Sequence, residues 1–367
     1  MIAIELIGVM LLLSQNLFLV VFLRTNFRNF SKLKIKKFPE ISILISARNE
    51  AHNLPVCLEA LAKLDYPKDK LQILLANDNS DDETAHILQS WTSSYAFADY
   101  FEVRENLGKK KINGKANALA QMAEKATGEF LLFTDADCIV PPSWAKEMTA
   151  AALHSKVGFV TGVTSIKIEG LFSRMQDLDW IFTLGMVKIV SDLGVPVTSM
   201  GNNMLITREA YDAVGGFEGI DFSLTEDFEI ARAIQKKNFT GNHQFGSRNL
   251  ILTNAQPSWG SLWEQRKRWM YGAMKLPFFI KLLLALQALF LPLVLLLIFN
   301  YGWLGWIFWA TKMTLQSYFI YYLKKKIDQK INPIYFLIFE IYYLFTAWTT
   351  ILYYFWPSKT SWKGRKY

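Results

Sequence analysis

Residues 129–137 read Glu-Phe-Leu-Leu-Phe-Thr-Asp-Ala-Asp. A short run of apolar and aromatic residues that stops at acidic ones predicts a buried strand ending at Asp135. The same pattern recurs upstream. Residues 41–46 (Ile-Ser-Ile-Leu-Ile-Ser) end in Ala47-Arg48-Asn49-Glu50, and residues 71–76 (Leu-Gln-Ile-Leu-Leu-Ala) end in a turn around Asp78. Residues 101–105 read as another strand, and so does 201–206 (Gly-Asn-Asn-Met-Leu-Ile). Helical segments lie between: one from Glu50 to before Tyr66-Pro67, one at 84–91, and an Ala-rich one at 115–125. Thr207 can cap a further helix that Gly215-Gly216 ends. Strands alternating with helices predict an α/β fold with parallel pairing and helices on the faces. In such sheets ligands bind at the carboxyl ends of strands. Arg48, Asp78 and Asp135 all follow strand ends, which points to one shared site.

The 367 residues are 51% hydrophobic and 15% aromatic, and the apolar excess lies at the ends. Residues 2–23, 278–299, 301–323 and 333–356 are each long enough to span a bilayer, which takes about 20 residues. Residues 40–260 read as one large globular domain. Basic residues follow the first apolar run (Arg24, Arg28, Lys32, Lys34, Lys36 and Lys37), and no small-residue cleavage pattern precedes them. That is an anchor with a cytoplasmic downstream side rather than a cleaved signal. The expected organisation is an anchor at 1–24, a basic juxtamembrane linker at 25–39 and a globular domain at 40–260. An amphipathic interfacial segment at 261–277, membrane helices at 278–357 and a basic tail at 358–367 complete it.

The net charge is +8, but basic residues crowd at 24–37, 266–281, 324–330 and 359–366, all beside apolar spans. There they can meet anionic headgroups, which argues for the lipid bilayer and against nucleic acid as a partner. Cys57 and Cys138 imply no disulfide framework, in keeping with a reducing cytosol. His52, His86, His154 and His243 have no zinc-type spacing. Topology carries a conflict. An outside amino terminus and four crossings put the tail outside, whereas Lys359, Lys363, Arg365 and Lys366 favour the cytoplasm. Either the charge rule fails, or 333–356 is a re-entrant or surface segment.

Several residues carry chemistry. Asp135 and Asp137 lie two apart, so in extended backbone they share a face. Two hard oxygen donors there can hold Mg²⁺ or Mn²⁺, with diphosphate oxygens completing the shell. A plain surface turn is the alternative, and the preceding strand together with Asp78 upstream favours the metal. Asp78, in Asn77-Asp78-Asn79-Ser80-Asp81-Asp82, either makes a turn or accepts hydrogen bonds from a nucleobase; Ser80 and Asp82 read as turn residues. Lys115 ends a stretch resembling a P-loop that fails it twice: five residues separate Gly108 from Gly114, and Ala116 replaces the metal-binding hydroxyl. An ATPase is thereby disfavoured, while Lys115 can still meet a phosphate as a point charge; Lys109–Lys111 read equally as a solvated loop.

Asp227, after Thr225-Glu226, precedes a helix at 228–234. It either complements the helix dipole or acts as a general base on an acceptor hydroxyl, and the sequence leaves both open. Gln265 and Arg268 share a helix face. Arg268 can grip a diphosphate and Trp269 can offer a flat surface to a sugar or lipid; an interfacial helix with snorkelling Arg is the alternative. Leu171, Met175, Leu178, Phe182, Met186, Ile189 and Leu193 form an apolar helical stripe, for core packing or for the membrane surface. Lys312 and Glu340 lie inside expected spans, and either pair with each other or line an acceptor groove.

The ordered set Asp78, Asp135-Ala136-Asp137, Thr225-Glu226-Asp227 and Gln265-x-x-Arg268-Trp269 resembles the membrane-embedded family 2 glycosyltransferases. Ceramide glucosyltransferases and the cellulose and hyaluronan synthases carry that pattern. The match covers about residues 40–272 plus the membrane segments. The resemblance implies a glycosyltransferase A-type fold, a Rossmann-like mixed sheet with membrane helices at both ends. It implies a nucleotide-sugar donor, often UDP-linked, a divalent cation held by Asp137 with Asp135, Asp78 at the nucleobase and Asp227 as catalytic base. Gln265, Arg268 and Trp269 fall near diphosphate and acceptor, and Lys115 and Asp135 on the donor. Arg48 and Glu50 match the family's first-strand signature more loosely. The turn at Asp78 departs from the usual Asp-Asp-Gly-Ser by having Asn77 and Asn79, although Asn tolerates the left-handed conformation.

The expected activity is inverting, metal-dependent transfer of one sugar to a membrane lipid hydroxyl on the cytoplasmic face of the cell membrane. One span before the domain and three after are few for a polysaccharide channel, and Trp362-Lys363-Gly364-Arg365 looks like the tails of glycolipid-forming members. A small processive polysaccharide synthase is the main alternative. A non-catalytic membrane partner with a degenerate domain is another, against which the intact acids and Arg268 count.

Overall fold

The computed structural model describes residues 2–30, 34–105, 112–153, 157–195, 198–358, 361–362 and 365–366. Lys32, the expected basic loop at Lys109–Lys111, and the tail residues Lys359, Lys363 and Gly364 lie outside the described residues. A long helix, α1 (Ile2–Thr25), precedes β1 (Ile41–Ala47), α2 (Leu54–Ala62), β2 (Leu71–Asn77), α3 (Thr84–Thr92), β3 (Ala98–Glu102), α4 (Gly114–Lys125) and β4 (Phe130–Phe133). Then come α5 (Trp144–Leu153), β5 (Val157–Thr161), β6 (Thr164–Ile166), α6 (Leu171–Asp192), β7 (Met204–Thr207), α7 (Arg208–Ala213), α8 (Gly216–Gly219) and α9 (Glu226–Lys236). The chain continues through β8 (Thr240–His243), β9 (Ile251–Thr253), α10 (Trp259–Ala273), α11 (Phe278–Tyr301), α12 (Trp303–Lys326) and α13 (Ile334–Phe355).

Seven strands form one sheet in the order β3-β2-β1-β4-β7-β5-β8. The first four pair in parallel, as the alternation predicts. The sheet is nevertheless mixed, because β7 runs antiparallel to both β4 and β5. After α6 the chain re-enters between two strands already laid down and runs the other way. Strand positions shift too: the third is Ala98–Glu102 rather than 101–105, and the later one is Met204–Thr207 rather than 201–206. Gly201, Asn202 and Asn203 belong to the turn before it.

Both faces of the sheet are covered, so its strands read as continuous apolar runs. Ile43 and Ile45 of β1 pack with Leu54, Cys57, Trp144 and Met148 on one face. Leu44 packs with Leu119, Met122, Phe133 and Phe217 on the other. A third core joins α6 to the end helices through Leu19, Leu23, Phe182, Phe319, Leu323 and Phe339. Of the apolar stripe on α6, Leu178, Phe182 and Ile189 are buried here, while Leu171 and Leu193 at its ends are exposed. Gly185 allows the close crossing with α12, since a Cβ there would lie 2.1 Å from Leu323 Cδ1. Buried ion pairs fix the same junction. Asp177 of α6 binds Lys324 of α12. Lys188 binds Asp192 at 2.6 Å and donates to the Arg28 carbonyl at 2.6 Å.

Among the described residues three helices are long and apolar enough to cross a membrane: Glu5–Thr25, Phe278–Tyr301 and Ile334–Phe355. The fourth expected span, 301–323, does form a helix, α12, but a less apolar one that carries Lys312 near its middle. Lys312 pairs with Glu340 of α13 at 2.7 Å, and Trp309 and Gln316 also donate to that carboxylate, at 2.9 and 3.2 Å. Of the two readings of Lys312 and Glu340, mutual pairing is the one observed.

Candidate active site

The carboxyl ends of β1, β2 and β4 open onto a cavity of about 1120 Å³. Its polar end is lined by Arg48, Asp78, Lys115, Asp135, Asp137 and Asp227, and α10 adds Gln265, Arg268 and Trp269. Nine of the ten residues singled out from the sequence therefore share one cavity. Glu50 is the exception: it is buried in the turn after β1, where its carboxylate accepts from Asn53 Nδ2 at 2.7 Å, and it is not part of the cavity wall.

The turns after β1 and β2 hold each other. Asn49 and Asn79 both adopt the left-handed conformation, with φ of 52° and 54°. Asn thus does at Asn79 what glycine does more commonly. Asn49 Oδ1 accepts from the Asp81 N–H at 2.8 Å, and Ser80 Oγ accepts from the Asn49 N–H at 3.1 Å. Arg48 donates to the Asp78 carbonyl at 3.1 Å. Asp82 accepts from the Ala51 and Thr84 N–H groups, the turn and cap role expected of it.

Asp135 and Asp137 line the cavity together, but not along extended backbone. Strand β4 ends at Phe133, and a turn closes with the Cys138 N–H donating to the Asp135 carbonyl at 3.1 Å. Period-two geometry therefore does not explain their shared direction; the turn does. Lys115, one residue into α4, reaches Asp135 at 2.5 Å and Glu226 at 3.6 Å. Asn113 caps α4 through the Ala116 N–H at 2.7 Å and donates to Glu226 at 3.1 Å. Burial opposes the Lys115 charge, but Asp135 and Glu226 together hold its pKa above the ordinary lysine range. Glu226 and Asn113 had no assigned role in the sequence; an Asn two residues before the singled-out lysine was the available signal.

Two carboxylates at one wall give a hard donor set that fits Mg²⁺ or Mn²⁺. Among the described residues no group of three or more His, Cys, Asp or Glu converges on one point, so substrate oxygens would supply the remaining positions.

Asp227 lies in the first turn of α9 and faces the cavity. Its Oδ2 accepts from the Gly201 N–H at 2.7 Å, and its Oδ1 from the Phe228 N–H at 2.8 Å. Burial and then the neighbouring Glu226 charge push its pKa up to about 6, against the pull of these hydrogen bonds and of Lys115. Helix-start position and cavity lining thus coincide at Asp227. Gly272 lets α10 approach this turn, because a Cβ there would sit 3.0 Å from Thr225 Oγ1. Arg268 is lowered by burial, while Glu226, Asp135, Asp227 and Glu264 favour its charge. Trp269 meets Trp180 of α6 edge to face at 5.2 Å between centroids. Trp180 also lines the cavity, a contribution that the spacing of the α6 stripe did not single out.

The cavity does not stop at these polar groups. It continues between α1, α6 and α11, past Phe18, Leu19, Leu184, Val187, Ile280 and Leu283.

A model of glycosyl transferase family 21 matches residues 3–367, nearly the whole chain. The chain belongs to glycosyl transferase family 21. It is similar to a probable glycosyltransferase, YdaM, of Bacillus subtilis, with 29% identity over 67% of this chain and 58% of the relative. It is also similar to a beta-monoglucosyldiacylglycerol synthase of Trichormus variabilis, with 25% identity over 69% of this chain and 52% of the relative. The chain thus spans little more than half the length of these curated relatives. A mannosyltransferase from Pyrobaculum calidifontis, solved with GDP-Man and Mn²⁺, has the same fold, with a TM-score of 0.61 at 17% identity over 97% of both chains. The family 21 domain thus has a glycosyltransferase A-type fold with candidate membrane helices at both ends.

Proposed function

We propose that this family 21 chain transfers one sugar from a nucleotide diphosphate sugar to a hydroxyl of a membrane lipid, at the cytoplasmic face of the membrane. The observation that carries the reading is one cavity that joins the strand-end acids to an apolar channel between α6 and the candidate membrane helices α1 and α11. A polar donor and an apolar acceptor need just such a two-ended site. A relative named as a glucosyldiacylglycerol synthase supports the lipid acceptor.

The residues take these parts. Asp78 and Arg48 hold the nucleotide at the strand ends. Asp135 and Asp137 would hold a divalent cation, which neutralises charge on a diphosphate when bound. Lys115 stands beside Asp135 as a further cation for phosphate oxygens. Asp227 removes the proton of the acceptor hydroxyl, whose oxygen attacks the anomeric carbon as the bond to the diphosphate breaks. Arg268, with Gln265, stabilises the charge that develops on the leaving diphosphate. Direct displacement inverts the anomeric centre. Trp269 and Trp180 form the wall between donor and acceptor ends.

The test is purified full-length protein with labelled nucleotide sugars and extracted lipids, analysed by mass spectrometry with and without chelator. A lipid bearing one added sugar, lost on chelation, is expected. A ladder of polymers would replace the reading with a polysaccharide synthase, and no transfer with any donor would support a non-catalytic partner.

A further inference from the structure

Helix α6 carries Asp179 and Trp180 side by side, and both meet α10. Asp179 Oδ2 accepts from Arg266 Nη2 at 2.5 Å, in a pair that is almost wholly buried. The Arg266 guanidinium carbon in turn lies 4.7 Å from the centre of the Trp269 ring, about one helical turn further along α10. Trp180 meets that same indole at 5.2 Å between centroids and 69° between planes. Trp269 is therefore held twice from α6, directly by Trp180 and through Arg266 by Asp179. Trp180 and Trp269 line the cavity, and Asp179 and Arg266 are not part of its wall.

A buried ion pair adds little net stability, because desolvation offsets the attraction and well-packed apolar residues often serve as well. This one is also incompletely satisfied: Arg266 Nε is enclosed and has no hydrogen-bond partner among the described residues. What charge supplies here, and apolar packing would not, is direction. The carboxylate anchors the guanidinium, and the guanidinium attracts the electron-rich face of the indole. We propose that Asp179 and Arg266 are positioning residues for acceptor binding, which set the orientation of the Trp269 indole at the cavity wall. The inference rests on the lipid-acceptor reading above. In that reading Gln265 and Arg268, on the same helix, serve the donor. A pair that only held α10 in place would act on donor and acceptor alike, whereas one that orients Trp269 acts on the acceptor.

The experiment uses full-length protein in mixed micelles, labelled nucleotide sugars, and three acceptor probes: a diacylglycerol, an N-acyl amino alcohol and extracted total lipids. Wild type, Arg266→Met and Trp269→Leu are compared with the double variants Asp179→Leu/Arg266→Met and Arg266→Met/Trp269→Leu. Acceptor KM, donor KM, chelator-sensitive donor hydrolysis and unfolding temperature are measured for each. Arg266→Met strands the Asp179 carboxylate and is expected to lower the unfolding temperature. It is expected to raise acceptor KM about tenfold, equivalent to about 1.4 kcal/mol and within the range of one desolvated cation–π contact. Donor KM and donor hydrolysis are expected to stay unchanged. Asp179→Leu/Arg266→Met is expected to regain the unfolding temperature but not the acceptor KM, which separates orientation from folding. In the Trp269→Leu background Arg266→Met is expected to add nothing to acceptor KM, because the indole it acts through is gone. Return of wild-type acceptor KM in the apolar pair, an unchanged acceptor KM in Arg266→Met, a parallel rise in donor KM, or the same further rise in the Trp269→Leu background overturns the inference while leaving lipid transfer intact. Absence of transfer to every lipid probe by wild-type enzyme that hydrolyses donor overturns the lipid-acceptor reading, and the inference with it.

Discussion

Replacing Asp227 by Asn tests the chemistry most directly, because the structure predicts opposite effects on rate and stability. The carboxylate sits between the Gly201 and Phe228 N–H groups, and its pKa is pushed up to about 6 from an ordinary 3.8 by burial and Glu226. That displacement corresponds to at most about 3 kcal/mol of unfavourable charge burial at neutral pH, less whatever cavity water screens. The sign follows from linkage: the folded chain binds this proton more tightly than the unfolded chain does. Stability therefore falls as pH rises from about 3.8 to about 6 and is flat beyond. Asparagine removes the charge and keeps one acceptor, losing one hydrogen bond of about 1 kcal/mol. The variant is expected to unfold at the same temperature as the parent or higher at pH 7.5. Its kcat is expected to fall by about 10²–10⁴, the usual contribution of a general base, with donor affinity held. Wild-type kcat/KM should lose roughly tenfold per pH unit below about 6, and this acid limb should vanish in the variant. Labelled-donor transfer, donor titration and thermal unfolding in detergent measure the three quantities. Retention of more than a tenth of the rate, or a loss matched by donor affinity, would refute the assignment.

Lys115→Met removes a cation that lowers the Asp227 pKa and compensates Asp135 and Glu226. The acid limb of the pH–rate profile should move upward and donor KM should rise. Gly272→Val places a side chain against Thr225 Oγ1, where a Cβ alone sits at 3.0 Å. Overpacking of about 1–3 kcal/mol should lower the unfolding temperature, and displacing α10 from Asp227 should cut kcat. Lys312→Met leaves Glu340 buried without its cation and should cost about 3–5 kcal/mol, whereas Lys312→Met with Glu340→Leu should recover most of that. Because neither residue lines the cavity, the double variant should keep its transfer rate.

Local pattern carried much of this protein. The apolar runs at 41–46, 71–76 and 129–134 became β1, β2 and β4, since strands buried on both faces leave a period-free apolar signature. The acids and Arg48 after those runs were legible as a site because parallel strands deliver their carboxyl ends to one edge. The end helices were legible from length and hydropathy alone. Register and direction were not. β7 reversed the sheet, and no local feature of Met-Leu-Ile-Thr encodes which neighbours it pairs with. The shared direction of Asp135 and Asp137 came from a turn rather than from strand alternation.

Sequence by itself thus determined the elements, their order, the acidic strand ends and the membrane-facing ends. These are consequences of side-chain periodicity and of single residues stopping a run. Tertiary structure alone decided which polar groups meet. It put Lys115 between Asp135 and Glu226, withdrew Glu50 into a turn, and paired Lys312 with Glu340 away from the cavity. It also left the Gln15 amide buried without a hydrogen-bond partner among the described residues, while Ser14 and Asn16 bonded back into their helix. Such pairings depend on how far apart in space α1, α6, α10 and α13 bring residues separated by up to hundreds of positions, and on that scale neither propensity nor spacing carries information.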